Sequence, residues 1–134
     1  MKKLYMLDTD MASYVIRGTS VELLERFSVH FKQLCISSIT VAELQFGMEK
    51  KNSPLLTEKV NAFCELVPAK PFGFAAAQRY GKLRAILEKQ GTPLAGMDLL
   101  IAASALAENA VLVTNNTEHF CKVPHLPLEN WLPS

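Results

Sequence analysis

Strand-length apolar runs alternating with helix-length segments constrain this chain more than any other feature. "LYML" (residues 4–7), "QLCIS" (33–37) and "VLVTNN" (111–116) are too short for buried helices and too apolar for surface loops. The segments between them carry helical spacing. One follows the first run to Ile16 and breaks at Gly18, and a second covers 21–27. "SITVAELQFGMEK" follows the second run, with Ser37, Ser38 and Thr40 as cap candidates and Ile39, Ala42 and Phe46 as its apolar face. Pro54 opens a helix through about Leu66, and 67–69 reads as a short strand. The spacing predicts a long helix over 74–90, with Ala76, Tyr80, Leu83 and Leu87 on one face and Gly91 and Pro93 ending it. "DLLIAASALAE" (98–108) is apolar nearly all round, as a helix buried on several sides requires. A short amphipathic piece and an edge strand in "LPLENWL" (126–132) complete the pattern.

This alternation predicts a single domain over residues 1–134, an α/β sandwich around a mainly parallel sheet. A hydrophobic content of 49% and a charged content of 20% argue against disorder. The net charge of +1 means that a nucleic-acid partner must be held by a local patch or a metal. Cys35, Cys64 and Cys121 are odd in number and form no CxxC pair. With no signal-peptide pattern, they read as reduced, buried or idle thiols of a cytoplasmic protein. His119, Cys121 and His125 match no standard zinc spacing and lack a fourth ligand. No apolar run approaches the length of a membrane span.

In parallel sheets, chemistry collects beyond the carboxyl ends of the strands. Asp8 and Asp10 follow the first strand, Thr40 and Glu43 the second, and Asn115 and Asn116 follow "VLVT". Each acid also has a local explanation. Asp8 can cap a helix, Thr40 and Glu43 can form a capping box, and Asp98 can cap the most hydrophobic helix. Capping does not account for a second acid at Asp10. Nor does it account for a lone carboxylate against so apolar an element as the one after Asp98. Carboxylates gathered without Cys or His select a hard cation, Mg²⁺ or Mn²⁺, which can orient a water and shield a phosphodiester under attack.

"MLDTD", "ISSITVAELQFG", "YGKLRAILEKQGTPLAGMDLLIAASALA", "LVTNN" and "LENW" occur in that order over essentially the whole length. With this ordered set the chain resembles PIN-domain proteins of the VapC toxin type, the ribonuclease half of a bacterial toxin–antitoxin pair. The resemblance implies a PIN-like α/β/α fold and a metal-dependent endoribonuclease that cuts structured RNA, typically tRNA or ribosomal RNA at one loop, with a tRNA anticodon loop expected here. It also implies a homodimer and neutralisation by a VapB-type antitoxin, with DNA bound only indirectly through that antitoxin. Asp8, Glu43 and Asp98 fall on the family's metal-binding acids, and Asn116 falls on its fourth polar position with Thr114 beside it. There are two departures. Asp10 stands where the family commonly has Asn, and His119 where an acid often precedes the Phe.

For RNA contact, Arg79, Lys82 and Lys89 lie along one flank of the long helix and Arg84 on the other. An Arg at the position of Arg84 is common in the VapC pattern, which ranks it first for phosphate contact, with Lys82 and Thr114 as further substrate-binding residues. Tyr80 reads as core. Two other functions compete. A haloacid-dehalogenase-type phosphatase would use Asp8 as nucleophile and Asp10 as acid. It would want Thr or Val where Ala12 stands, and an acidic pair where "LVTNN" offers amides. A non-catalytic PIN-fold binding module would be expected to have lost acids that are intact here.

Overall fold

The computed structural model describes residues 3–133. Five strands form one sheet in which every pairing is parallel. They are β1 (Tyr5–Leu7), β2 (Leu34–Ser37), β3 (Ala69–Lys70), β4 (Val111–Val113) and β5 (Leu128–Glu129), in spatial order β3-β2-β1-β4-β5. The helices are α1 (Thr9–Arg17), α2 (Val21–Val29), α3 (Ser38–Lys51), α4 (Pro54–Leu66), α5 (Phe74–Lys89), α6 (Gly96–Ala107) and α7 (Thr117–Phe120).

Side chains of a strand alternate between faces, and here both faces are covered. Tyr5, Leu7, Leu34, Ile36, Val111 and Val113 enter one core with Met11 of α1, Leu23 of α2, Leu44 of α3 and Phe63 of α4. Met6, Cys35 and Leu112 enter the other, beneath Leu83 and Leu87 of α5 and Ile101 and Ala102 of α6. Burial on both faces is why the strand runs are continuously apolar rather than alternating. α6 buries six of its residues, as its composition demands. Burial pushes the Cys35 thiol up to about 12, so it packs as a small apolar group.

Local signals place most boundaries. Gly18 ends α1 in the left-handed conformation at φ 67°, and its N–H bonds the Tyr14 carbonyl. Ser20 and Ser53 cap α2 and α4. The third strand lies at Ala69–Lys70, later than the predicted 67–69, because Val67 still donates its N–H to the last turn of α4.

Helix α3 departs from expectation. Its buried residues are Thr40, Leu44 and Met48, while Phe46 is 67% exposed and Ala42 is also exposed. α3 packs against α1, α4 and α6 at once, so no single stripe of its sequence marks the inward face. Of the cap candidates, Ser37 caps α3 by accepting from Ile39 N–H, and Ser38 accepts instead from Phe72 N–H. The buried Ser104 hydroxyl donates to the Leu100 carbonyl, so Ser37 donates to Ser104 and ties β2 to α6.

The chain winds outward from β1 to β3 on one side and resumes at β4 on the other. The switch point therefore falls between β1 and β4, where connections leave in opposite directions and open a crevice beyond the strand ends.

Candidate active site

Asp8 stands at that switch point. Its backbone N–H bonds the Val113 carbonyl, and its Oδ1 accepts from Met11 N–H at 2.8 Å. The capping reading of Asp8 is thus correct, and incomplete. The residue is 5% exposed, and burial pushes its carboxyl from 3.8 up to about 6. Hydrogen bonds from the Thr114 hydroxyl and Met11 N–H oppose the rise, while the neighbouring Asp10 and Asp98 charges add to it. A cap alone needs neither the burial nor the two acids.

Asp98 lies in the first turn of α6, but Ala95 is the N-cap and no side chain closes that end. The capping reading of Asp98 is therefore replaced. Burial raises its carboxyl above the usual range, His119 opposes the rise, and Asp10 adds to it. His119 Nε2 lies 3.2 Å from Asp98 Oδ2.

Glu43 sits one turn into α3, and Thr40 is wholly buried inside the helix rather than at its cap. No capping box exists. Glu43 Oε1 instead accepts from Thr9 Oγ1 at 2.5 Å, which brings this acid to the residue directly after Asp8.

The fourth polar position is different in kind. Asn116 is exposed at the start of α7 and makes no side-chain cap bond, while its backbone N–H donates to Thr114 Oγ1. Thr114 is wholly buried, with its hydroxyl turned to Asp8. Buried there, Thr114 stands beside Asp8 as a support. Arg84 and Lys82 are exposed on α5. Arg84 donates to Glu88 and to the Tyr80 hydroxyl, beside a 270 Å³ cavity that Gly96 and Leu99 of α6 also line. Tyr80 is half-buried, packed on the core with its hydroxyl outward.

Two residues of the site escaped sequence reasoning. Thr9 carries no signal beyond its place between two aspartates, and His119 was visible only as a departure from a pattern. Cys121 is exposed, its thiol donating to the Glu118 carbonyl.

Asp8, Asp10, Asp98 and Glu43 are all-oxygen donors, two of them raised by burial, and such a set fits a hard divalent cation. Among the described residues no three Cys, His, Asp or Glu side chains lie together as a group that could hold a metal ion. Mg²⁺ does not require three, since it keeps several waters and binds through one or two carboxylates.

A model of the PIN domain matches residues 5–126. The chain belongs to the PIN-domain family. Within that family its relatives are of the VapC type. It is 39% identical to the Haemophilus influenzae ribonuclease VapC2 over 129 residues, covering 96% of this chain and 98% of the relative. The Shigella flexneri tRNA(fMet)-specific endonuclease VapC is 35% identical over 128 residues, covering 95% and 97%. In the crystal structure of VapBC2 from Rickettsia felis bound to a promoter DNA fragment, a chain 38% identical superposes with a TM-score of 0.90, covering 96% and 98%. Membership removes the phosphatase alternative, which also needs a free Asp8 nucleophile and a positioned Asp10. In this PIN domain Asp8 is pinned by two donors and Asp10 is exposed.

Proposed function

We propose that this chain is a Mg²⁺- or Mn²⁺-dependent endoribonuclease toxin of the VapC type, acting in the cytoplasm on a structured RNA. The observation that carries the reading is Asp8. The fold buries a carboxylate at the sheet's switch point beside two more acids, an arrangement that costs stability unless a cation joins it. Kinship with a tRNA(fMet)-specific endonuclease supports a tRNA as the substrate, and the family resemblance points to its anticodon loop.

Asp8, Asp98 and Glu43 would hold the cation, with Asn116 at the rim of the site. A bound divalent cation neutralises the phosphodiester's charge and activates a water for in-line attack. The chain's own groups prepare the site for it. Met11 N–H restrains Asp8, with Thr114 beside it, His119 lies against Asp98, and Thr9 restrains Glu43, so each acid is tethered before the RNA arrives. Arg84 and Lys82 offer exposed positive charge for the RNA backbone.

The regulatory partner is a VapB-type antitoxin, and the groove between α1, α3 and α4 suits it. This 510 Å³ groove has an apolar floor that includes Ile16, Leu44 and Met48. Glu43 and Thr9 stand at its site end, and Arg17, Lys50 and Lys51 also line it. An amphipathic segment with acidic residues would fit that polarity and reach the acids. DNA would be bound through the antitoxin. A homodimer belongs to the same reading, and Phe46, Leu55, Leu66 and Phe74, all more than half exposed, leave apolar area for it.

Inducible expression followed by sequencing of new RNA 5′ ends tests the reading, with purified protein assayed on the RNA so identified. Cleavage that stops in EDTA and returns with Mg²⁺ or Mn²⁺ is expected. Full activity in EDTA would overturn the metal role, and metal binding without RNA cleavage would make the chain a binding module.

A further inference from the structure

Thr9 makes the shortest side-chain hydrogen bond to any acid of the site. Its Oγ1 is 2.5 Å from Glu43 Oε1 and 3.1 Å from Thr40 Oγ1. A threonine hydroxyl has one proton to give. A carboxylate is the stronger acceptor, and 2.5 Å is the length of an O–H···O⁻ bond rather than of a bond between two hydroxyls. The Thr9 proton therefore goes to Glu43. Thr40 Oγ1, 3.1 Å away, is the other acceptor within reach of the Thr9 hydroxyl. Thr40 is wholly buried, so water does not satisfy its hydroxyl. The Thr9–Glu43 bond, beside the Thr40 hydroxyl, links the first residue of α1 to the second turn of α3 across 34 residues of sequence.

We infer that Thr9 is a positioning residue for Glu43, and that Thr40 holds Thr9 in place. Glu43 has more rotatable bonds than the two aspartates and no other hydrogen bond among the described residues. Without Thr9 its carboxylate would sample several rotamers. With Oε1 engaged by Thr9, Oε2 is free of side-chain hydrogen bonds among the described residues. Thr9 follows Asp8 directly, and Asp8 is fixed to β4 through Val113. The link therefore sets Glu43 against the rest of the site. The inference rests on the nuclease reading for its kinetic consequence and not for its structural one.

The test uses the full chain with Thr9→Val, which keeps the shape and removes the hydroxyl, Thr9→Ser, which keeps the hydroxyl, and Thr40→Val. Mn²⁺ affinity is measured by calorimetry, and kcat and KM on the RNA substrate. Loss of an outer hydrogen-bond partner of a metal ligand typically costs about 10–100-fold in affinity or activity. Thr9→Val is expected to lose that much in Mn²⁺ affinity and in kcat with KM for RNA nearly unchanged. Thr9→Ser should recover to within about threefold of wild type, and Thr40→Val should show a smaller loss in the same direction. If Thr9→Val lowers the melting temperature enough to compromise the comparison, Thr40→Val decides. Mn²⁺ affinity and kcat within threefold of wild type in the deciding variant would overturn the inference. So would equal losses in Thr9→Ser and Thr9→Val, which would assign the effect to packing of the methyl. Wild-type protein that binds Mn²⁺ but cuts no RNA sinks the nuclease reading and leaves Thr9 decided by the affinities. Wild-type protein that binds no Mn²⁺ sinks both.

Discussion

His119 Nε2 lies 3.2 Å from Asp98 Oδ2, a contact that joins α7 to the first turn of α6 at the mouth of the crevice. In the VapC pattern an acid often stands at this position. Here the position carries a donor, so one oxygen of Asp98 is held rather than repelled. With Asp10 in place of the usual Asn, the site adds an acid on one side and gives one up on the other. Its charge is redistributed more than increased.

That contact makes Asp98→Asn a clean experiment. The amide keeps the shape beside His119, and the helix loses no cap because Ala95 holds that position. The first-turn charge is favourable to α6 by about 0.3–1 kcal/mol, and burial works against it. The melting temperature should therefore stay within a few degrees of wild type. Cleavage should fall at least about a hundredfold, roughly 2.7 kcal/mol of transition-state stabilisation, because an amide holds a hard cation poorly. Thermal unfolding beside an RNA cleavage assay reads both. Activity within a few-fold of wild type would remove Asp98 from the metal site.

Asp8→Asn should stabilise the metal-free protein at neutral pH. The Asp8 carboxyl rises from 3.8 to about 6 on folding, so between those values the folded chain holds a proton that the unfolded chain releases. Stability from this group is full below 3.8 and is lost as pH climbs through about 6, a swing of about 3 kcal/mol. The amide of the variant does not titrate, and its extra N–H recovers only part of the hydrogen bonding. A gain of about 1–2 kcal/mol at pH 7.5, shrinking toward pH 4, is expected. Urea denaturation in EDTA across that range measures it. A variant less stable than wild type at pH 7.5 would mean that the cap and the Thr114 bond outweigh the desolvation.

Arg84→Ala should act on RNA and not on the fold. Both the guanidinium and Glu88 are more than half exposed, so their ion pair contributes little to stability. RNA binding should weaken, and the slope of log affinity against log salt should fall by about one unit or less for the lost phosphate contact. A binding titration at several salt concentrations gives the slope. An unchanged slope would return Arg84 to an ordinary surface charge.

Gly47→Trp tests the antitoxin groove. Gly47 lines the groove in the middle of α3, and a Cβ built there meets nothing within 4 Å. A helical Gly destabilises by roughly 0.5–1 kcal/mol relative to Ala, so a larger residue in open space should not lower the melting temperature. The indole would occupy the groove and reduce antitoxin affinity at least about tenfold. Surface plasmon resonance with the VapB-type partner measures this, and unchanged affinity would place the antitoxin elsewhere.

The sequence by itself determined what depends on near neighbours. Strand-length runs such as "LYML", caps at Ser20, Ser37 and Ser53, and the stop at Gly18 are local choices, settled by backbone geometry and burial over a few residues. Their alternation was enough to predict a parallel sheet and to expect Asp8 and Glu43 beyond its carboxyl edge, while Asp98 joined them through the family resemblance. Only the tertiary structure decided which role each residue plays there. Thr40 reads as a cap and is buried against the Thr9 hydroxyl. Thr114 reads as a substrate contact and is a support for Asp8, because β4 lies beside β1. Phe46 reads as core and is exposed, because α3 is pressed by three helices at once. His119 reads as a missing acid and is the partner of Asp98. Each of these outcomes is a contact between residues far apart in the chain. No local pattern encodes such a contact, since it exists only once the sheet order has brought the two ends together.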